Sequence, residues 1–171
     1  MIQIIKPTVA HAQLLSEISI ASFLPAHGHS APKKDIDEYV QLNFNEDNYK
    51  KELENIENHY HLFYADEQIA GYSKVLFNEK CPEISDRNIS YLSRIYFLPE
   101  FYGKGFAHQL LDFNINLCKE NNQKGIWLKV WVKNDRAISF YKNQGFNIIG
   151  KSDFRISDTH SNPNHHMYLK M

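Results

Sequence analysis

Cysteine is scarce. The 171-residue chain has two, Cys81 and Cys118, too few to staple a small extracellular fold, and both read as reduced thiols of a cytoplasmic protein. No apolar run approaches the roughly 18–20 residues that a membrane span needs. The opening stretch, MIQIIKPTVA, lacks the long apolar core of a secretory signal. No membrane partner is expected. Repeats and low-complexity tracts are missing, and a chain of this length predicts one domain over residues 1–171. Net charge is also nearly missing: the formal value is −1 and no long basic run occurs. That combination disfavours nucleic acid as a partner.

What is present is apolar and aromatic. Hydrophobic residues make up 43% of the chain and aromatic ones 13%, enough for a sizeable core and too much for wholesale disorder. The small net charge hides a division. Residues 1–86 hold 14 acidic and 7 basic side chains, whereas residues 87–171 hold 6 and 12, giving balances of −7 and +6. Such asymmetry hints at ligands of different sign, although two solvated surfaces would look the same.

The pattern predicts a strand at 2–5 and a helix from Thr8 onward, where Leu14, Leu15 and Ile18 recur at helical spacing. A loop follows over 24–34, which carries two prolines and a glycine. Two acid-rich helices are expected at 35–44 and 46–57. Strands at 59–65 and 69–77 form a hairpin around Asp66-Glu67-Gln68. After a polar loop come a strand at 89–98, a helix over 105–121, a strand at 125–132 and a helix at 134–144 ended by Gly145. Strands at 146–150 and 165–171 close the chain around a polar connection. This order implies an α/β protein with a mixed sheet and helices on both faces.

The segment RIYFLPEFYGKGFAHQLL (94–111) is strand, glycine turn, then helix N-terminus. Free main-chain N–H groups at such a turn, with the positive end of the helix dipole, suit a phosphate. It is not a P-loop, because no Gly-Lys-Ser/Thr follows a four-residue spacer. It is not a dinucleotide fingerprint either. His108 stands where the third glycine belongs, and the next strand ends without an acidic residue.

Tyr102-Gly103-Lys104-Gly105-Phe106-Ala107 resembles the Q/R-x-x-G-x-G/A motif of the GCN5-related N-acetyltransferases (GNAT), with Tyr102 in place of the usual Gln or Arg. Asn134-Asp135-Arg136-Ala137-Ile138-Ser139-Phe140-Tyr141-Lys142-Asn143-Gln144-Gly145-Phe146 resembles the family's later segment, N-x-x-A-x-x-x-Y-x-x-x-G-F, at every key position. The resemblance covers roughly residues 2–170. It implies the GNAT fold, a mixed twisted sheet of about seven strands in which two central parallel strands, 89–98 and 125–132, splay apart. It further implies acetyl-CoA as co-substrate and a primary amine as acceptor. FNEDNYKKELENIEN (44–58), IAGYSKV (69–75), 126–146 and the Tyr39 region are also similar to PaiA-type polyamine acetyltransferases, which points to a spermidine- or spermine-like acceptor.

By the same resemblance, the amides of Gly103, Lys104, Gly105, Phe106, Ala107 and His108 hold the pyrophosphate. Ile95 and Phe97 offer backbone groups to the pantetheine, and Asn134 bonds it or simply caps its helix. Ala137, Phe140 and Lys142 complete the cofactor set, with a core role for Phe140 and a solvated Lys142 as competing readings. Tyr141 is the expected catalytic acid, placed to protonate the departing thiolate. The general base stays open among a water chain, Tyr91, Ser93 and a carboxylate from the acidic helices. Asp35, Asp37, Glu38, Glu46 and Asp47 could attract a polycation, but acids at helix N-termini look the same. His27/His29, His59/His61 and His165/His166 have no Cys or acidic partner at ligand spacing, so no metal is expected. Trp127 and Trp131 read as core. Similar proteins commonly form homodimers, which the resemblance therefore allows. Protein or peptide acetylation and a non-catalytic CoA-binding sensor are the alternative functions.

Overall fold

The computed structural model describes all of residues 1–171. It contains seven strands: β1 (Ile2–Ile5), β2 (His59–Ala65), β3 (Gln68–Leu76), β4 (Ser90–Phe97), β5 (Gly125–Trp131), β6 (Asn147–Arg155) and β7 (Ser161–Lys170). Five helices accompany them: α1 (Ala12–His27), α2 (Lys33–Asn43), α3 (Glu46–Glu54), α4 (Phe106–Glu120) and α5 (Asp135–Asn143). The strands form one sheet in the order β1-β2-β3-β4-β5-β7-β6. Every neighbouring pair is antiparallel except β4 with β5. A parallel pair needs a crossover, and α4 supplies it. No helix is long and apolar enough to cross a membrane.

Alternation along the strands distributes the core. On β5, Ile126, Leu128 and Val130 join Leu111 and Cys118 of α4 and Tyr141 of α5. The intervening Trp127 packs instead with Cys81 and Ile89. On the opposite face of the sheet, Leu15, Ile18 and Phe23 of α1 and Tyr49 of α3 cover Tyr60, Leu62 and Tyr72. Burial of these two apolar faces is what holds the helices on the sheet. The β2–β3 hairpin turns on Asp66 and Glu67, both at positive φ (48° and 65°). Two such residues give the twist that a two-residue hairpin requires.

The expected mixed sheet with two parallel central strands is present, and those strands do part. β4 and β5 pair only at Ser90–Ile126 and Tyr91–Trp127, where the Tyr91 and Trp127 rings stack at 4.3 Å. Beyond that apex the two strands diverge. In β4 the register against β3 jumps from Leu92 to Arg94, so Ser93 is an extra residue. A bulge of this kind bends its strand and increases local twist, which carries β4 away from β5.

Several boundaries differ from expectation, most clearly in three places. α1 runs on through Pro25 to His27 instead of yielding to a loop at residue 24. Pro25 lies in the last turn, and Gly28 N–H still bonds Leu24 O at 2.8 Å, so one missing donor does not end the helix. α3 stops at Glu54 rather than residue 57. β6 and β7 extend inward through Arg155 and back from Ser161, turning the expected polar connection into a hairpin whose polar side chains face a cavity. Leu111 is fully buried where α4 meets the sheet. Leu111→Ala is expected to cost about 2–5 kcal/mol, read as a lower denaturant midpoint with an unchanged slope.

Candidate functional site

The gap between β4 and β5 opens toward the glycine turn. After β4, a short 3-10 turn at Pro99–Phe101 leads into Gly103 and Gly105, at φ 74° and 75°. A Cβ added at either glycine would meet nothing within 4 Å. The glycines are therefore needed for the left-handed backbone, and the space beside them is open. The N–H groups of residues 103–108 have no main-chain acceptor, and Gly105 has no capping side-chain bond. Six consecutive main-chain donors are thus left without a main-chain acceptor at the positive end of a 15-residue helix. Such a turn suits an anion.

A cavity of about 520 Å³ adjoins this turn, within the range of sites that enclose small ligands. Its walls include Ile95, Phe97, Gly103, Gly105, Phe106, Ala107, His108, Asn134, Ala137 and Phe140. Those are ten of the twelve cofactor positions expected from sequence. Lys104 contributes to the turn through its backbone, while its ammonium lies over the Phe101 ring at 4.9 Å. Lys142 is exposed and lines no part of this cavity. Arg136, which the motif places near the cofactor positions, is also a wall residue. Its guanidinium stacks on Tyr102 at 3.8 Å, at the position where the familiar motif has Gln or Arg. Residues and space fit a long polyanionic ligand with an extended apolar arm.

A second cavity, of about 210 Å³, lies between β4, β5 and the aromatic residues of α1 and α2, including Phe23, His27 and Tyr39. The two cavities share Ile95, Tyr96, Asn134, Ala137 and Tyr141. Tyr141 therefore stands where they meet. It is 7% exposed, and burial raises its phenol well above the ordinary value with no hydrogen bond opposing the shift. The hydroxyl is protonated at neutral pH and has no partner in the protein. Asn134 accepts from Ala137 N at 3.2 Å, so its Oδ1 caps α5 and its amide N–H groups remain available at the junction.

No Asp or Glu lines the second cavity; its charged residues are Arg94 and Lys129. Asp37, Glu38, Glu46 and Asp47 point to the outer surface, and Asp37, Glu46 and Asp47 pair with lysines of their own helices. Glu52 is the acid of α3 that turns inward. It accepts from Lys74 at 2.7 Å and from Tyr60, and Arg94 lies 3.8 Å away. Burial alone would raise the Glu52 carboxyl, but Arg94 and then the bonds from Lys74 and Tyr60 hold it below the usual range. Arg94 Nη1 also donates to the hydroxyls of Tyr60 (2.7 Å) and Tyr49 (3.1 Å).

Sequence reading missed Arg94, His27, Tyr96 and Asn164 in this wall. Asn164 Oδ1 is buried with no hydrogen-bond partner, and the residue lines this cavity. Arg94 did leave a signal: a lone charge in the run ISYLSRIYFL of a central strand. The expectation about metals, drawn from spacing alone, overlooked a tertiary cluster. Ligand atoms of Cys81, Glu83 and His166 lie within 4.8 Å of one another, with His166 Nδ1 bonded to Glu83 at 2.8 Å.

Residues 20–146 match the family model described as the acetyltransferase (GNAT) family. An uncharacterised N-acetyltransferase from Lactobacillus delbrueckii subsp. lactis is 26% identical over 141 residues, 82% of each chain. One from Mycobacterium tuberculosis H37Rv is 33% identical over 97 residues, 57% of this chain and 58% of that one. Among solved structures, the PaiA N-acetyltransferase of Thermoplasma acidophilum in complex with coenzyme A superposes with a TM-score of 0.78. It is 18% identical and is matched over 100% of this chain and 99% of that one.

His27 supplies a pH test. Burial, and then the charge of His29, lower its imidazole to about 4, and burial does the same to His61. Between about pH 6.5, ordinary for histidine, and about 4, the unfolded chain binds protons that these folded side chains refuse. Stability therefore falls as pH drops through that window. His27→Gln is expected to flatten this decline in urea midpoints measured from pH 7 to 4; an unchanged slope would reject its contribution.

Proposed function

The chain belongs to the acetyltransferase (GNAT) family and is an N-acetyltransferase, and from that premise we propose that its 171 residues form one domain transferring acetyl from acetyl-CoA to a primary amine on a small molecule. The observation that carries this reading is the meeting of the two cavities at Tyr141, one beside a turn of free amides and the other walled by aromatic side chains. In this reading the amides of 103–108 hold the pyrophosphate. The β4 edge left open beyond Tyr91 offers its backbone groups near Ile95 and Phe97 to an arm that pairs like a strand. Two unpaired cysteines agree with a reducing, cytoplasmic setting.

Acetyl-CoA supplies a thioester, whose carbon accepts the amine lone pair as the carbon–sulfur bond breaks. The amine loses one N–H proton and the departing thiolate gains one. Tyr141 is the proton donor to sulfur. Burial raises its phenol, and the same loss of hydration raises the proton affinity of a thiolate beside it. The transfer therefore stays near balance, as it is between a phenol of about 10 and a thiol of about 8.5 in water. His27 is neutral at pH 7 and bonded to Tyr96 at 3.3 Å, so it adds no positive charge to the acceptor wall.

The polyamine acceptor is suggested by the PaiA-like stretches, and the Thermoplasma PaiA N-acetyltransferase shares the fold at 18% identity. A polyamine finds no carboxylate in the acceptor cavity. A thiol-release assay with acetyl-CoA against polyamines, amino acids and peptides tests the reaction itself. Release above the hydrolytic background with at least one amine is the expected result; none with any amine, despite CoA binding, would favour a sensor. Tyr141→Phe is expected to lower kcat by roughly 10²–10⁴-fold with unchanged acetyl-CoA affinity by calorimetry. Wild-type turnover in that variant would reject the role of the phenol.

A further inference from the structure

Arg94 and Lys74 share one carboxylate, that of Glu52. Both cations are largely buried, their side chains 17% and 11% exposed. The cluster therefore keeps one positive charge in excess, and an uncompensated charge away from water is costly unless something pairs with it. Arg94 forms part of the acceptor cavity wall. Two of its five donors are used by the Tyr49 and Tyr60 hydroxyls. Its Nη2 approaches Glu52 only to 3.8 Å, and the remaining N–H groups have no acceptor.

Tyr39 and Tyr91 line the same cavity, and each is close enough to feel the Arg94 charge. Neither hydroxyl has a hydrogen-bond partner in the protein. A guanidinium with unused donors and two free phenols in one cavity wall form a donor set that suits a carboxylate, which accepts several hydrogen bonds at once. On the same wall Asn164 Oδ1 is a buried acceptor without a donor, complementary to an amine N–H. Lys129 also lines the cavity, although its exposed ammonium lies over the Trp127 ring, and no carboxylate is in the lining.

We propose that the acceptor is an amine that also carries a carboxylate, an amino-acid-like molecule whose anionic group pairs with Arg94. This rests on the acetyl-transfer reading above and specifies its substrate class. A polycation gains nothing from this wall, which offers the Arg94 charge and no acid in the lining. The aromatic lining contributed by Phe23, Trp131 and Phe154 covers the apolar body of such an acceptor.

Matched pairs test it. Thiol release is measured for α- and ω-amino acids and for their carboxamides, with spermidine and spermine alongside. Wild-type enzyme is expected to show kcat/KM at least tenfold higher for a carboxylate than for its carboxamide. Arg94→Gln is expected to erase that ratio while binding acetyl-CoA as before. Tyr39→Phe, which leaves the buried ion cluster whole, is expected to reduce the ratio through KM rather than kcat, so the test survives if Arg94→Gln fails to fold. Carboxamides or polyamines turned over as well as carboxylates would overturn the acceptor class while leaving acetyl transfer standing. No thiol release with any amine would overturn both.

Discussion

Two rungs of parallel pairing hold β4 to β5, and the site depends on there being no third. Each buried main-chain group must find a partner, so a parallel pair interrupted in the middle of a sheet creates a demand for hydrogen bonds inside the protein. The apex is closed by Ser90–Ile126 and Tyr91–Trp127, and the bulge at Ser93 turns β4 aside just above it. Everything downstream follows from that separation. The facing edges become available to a ligand, α4 begins with its amides exposed to the gap, and the Tyr141 hydroxyl reaches space that a fully paired sheet would have filled.

The same geometry sorts charge. The glycine turn presents partial positive charge from amides and a helix dipole, which needs no side chain and tolerates Tyr102 where the related motif carries Gln or Arg. The acceptor side has full charges instead, and their sign is the opposite of what the acidic first half of the chain suggested. Most acids of α2 and α3 lie outward in water, where pairs with neighbouring lysines are screened and weak. Glu52 turns inward, and two cations already claim it. A count of charges over half a sequence thus says little about a wall built from a few inward-facing residues.

Legibility followed locality. The glycine turn, the Asn134 cap and Tyr141 lie within single stretches of chain whose spacing directly sets their geometry, so motif and structure agree on where they sit. Lys104 contributes its amide to the turn, and Lys142 is exposed, as the solvated reading of its position had it, because a long flexible side chain is not positioned by the backbone that carries it. Pro25 misled because a proline in a final turn removes one donor without ending the helix. The β6–β7 hairpin was read as a connection because Ser152, Asn162 and Asn164 look solvated in sequence. In the fold Asn162 and Asn164 are buried polar residues on a cavity wall.

From its sequence alone, the protein was committed to a mixed sheet, a glycine turn after β4 and a tyrosine on α5, since periodicity and short-range spacing specify elements and their ends. Only the tertiary structure decided what surrounds the acceptor. Arg94 comes from β4, Tyr39 from α2, His27 from the end of α1 and Asn164 from β7, and no spacing rule links residues so far apart in the chain. Their proximity results from packing two helical layers on a split sheet, as does the neutrality of His27 and the excess charge beside Glu52. Burial and dielectric belong to the assembled interior, and a linear sequence carries them only after folding has brought its distant parts together.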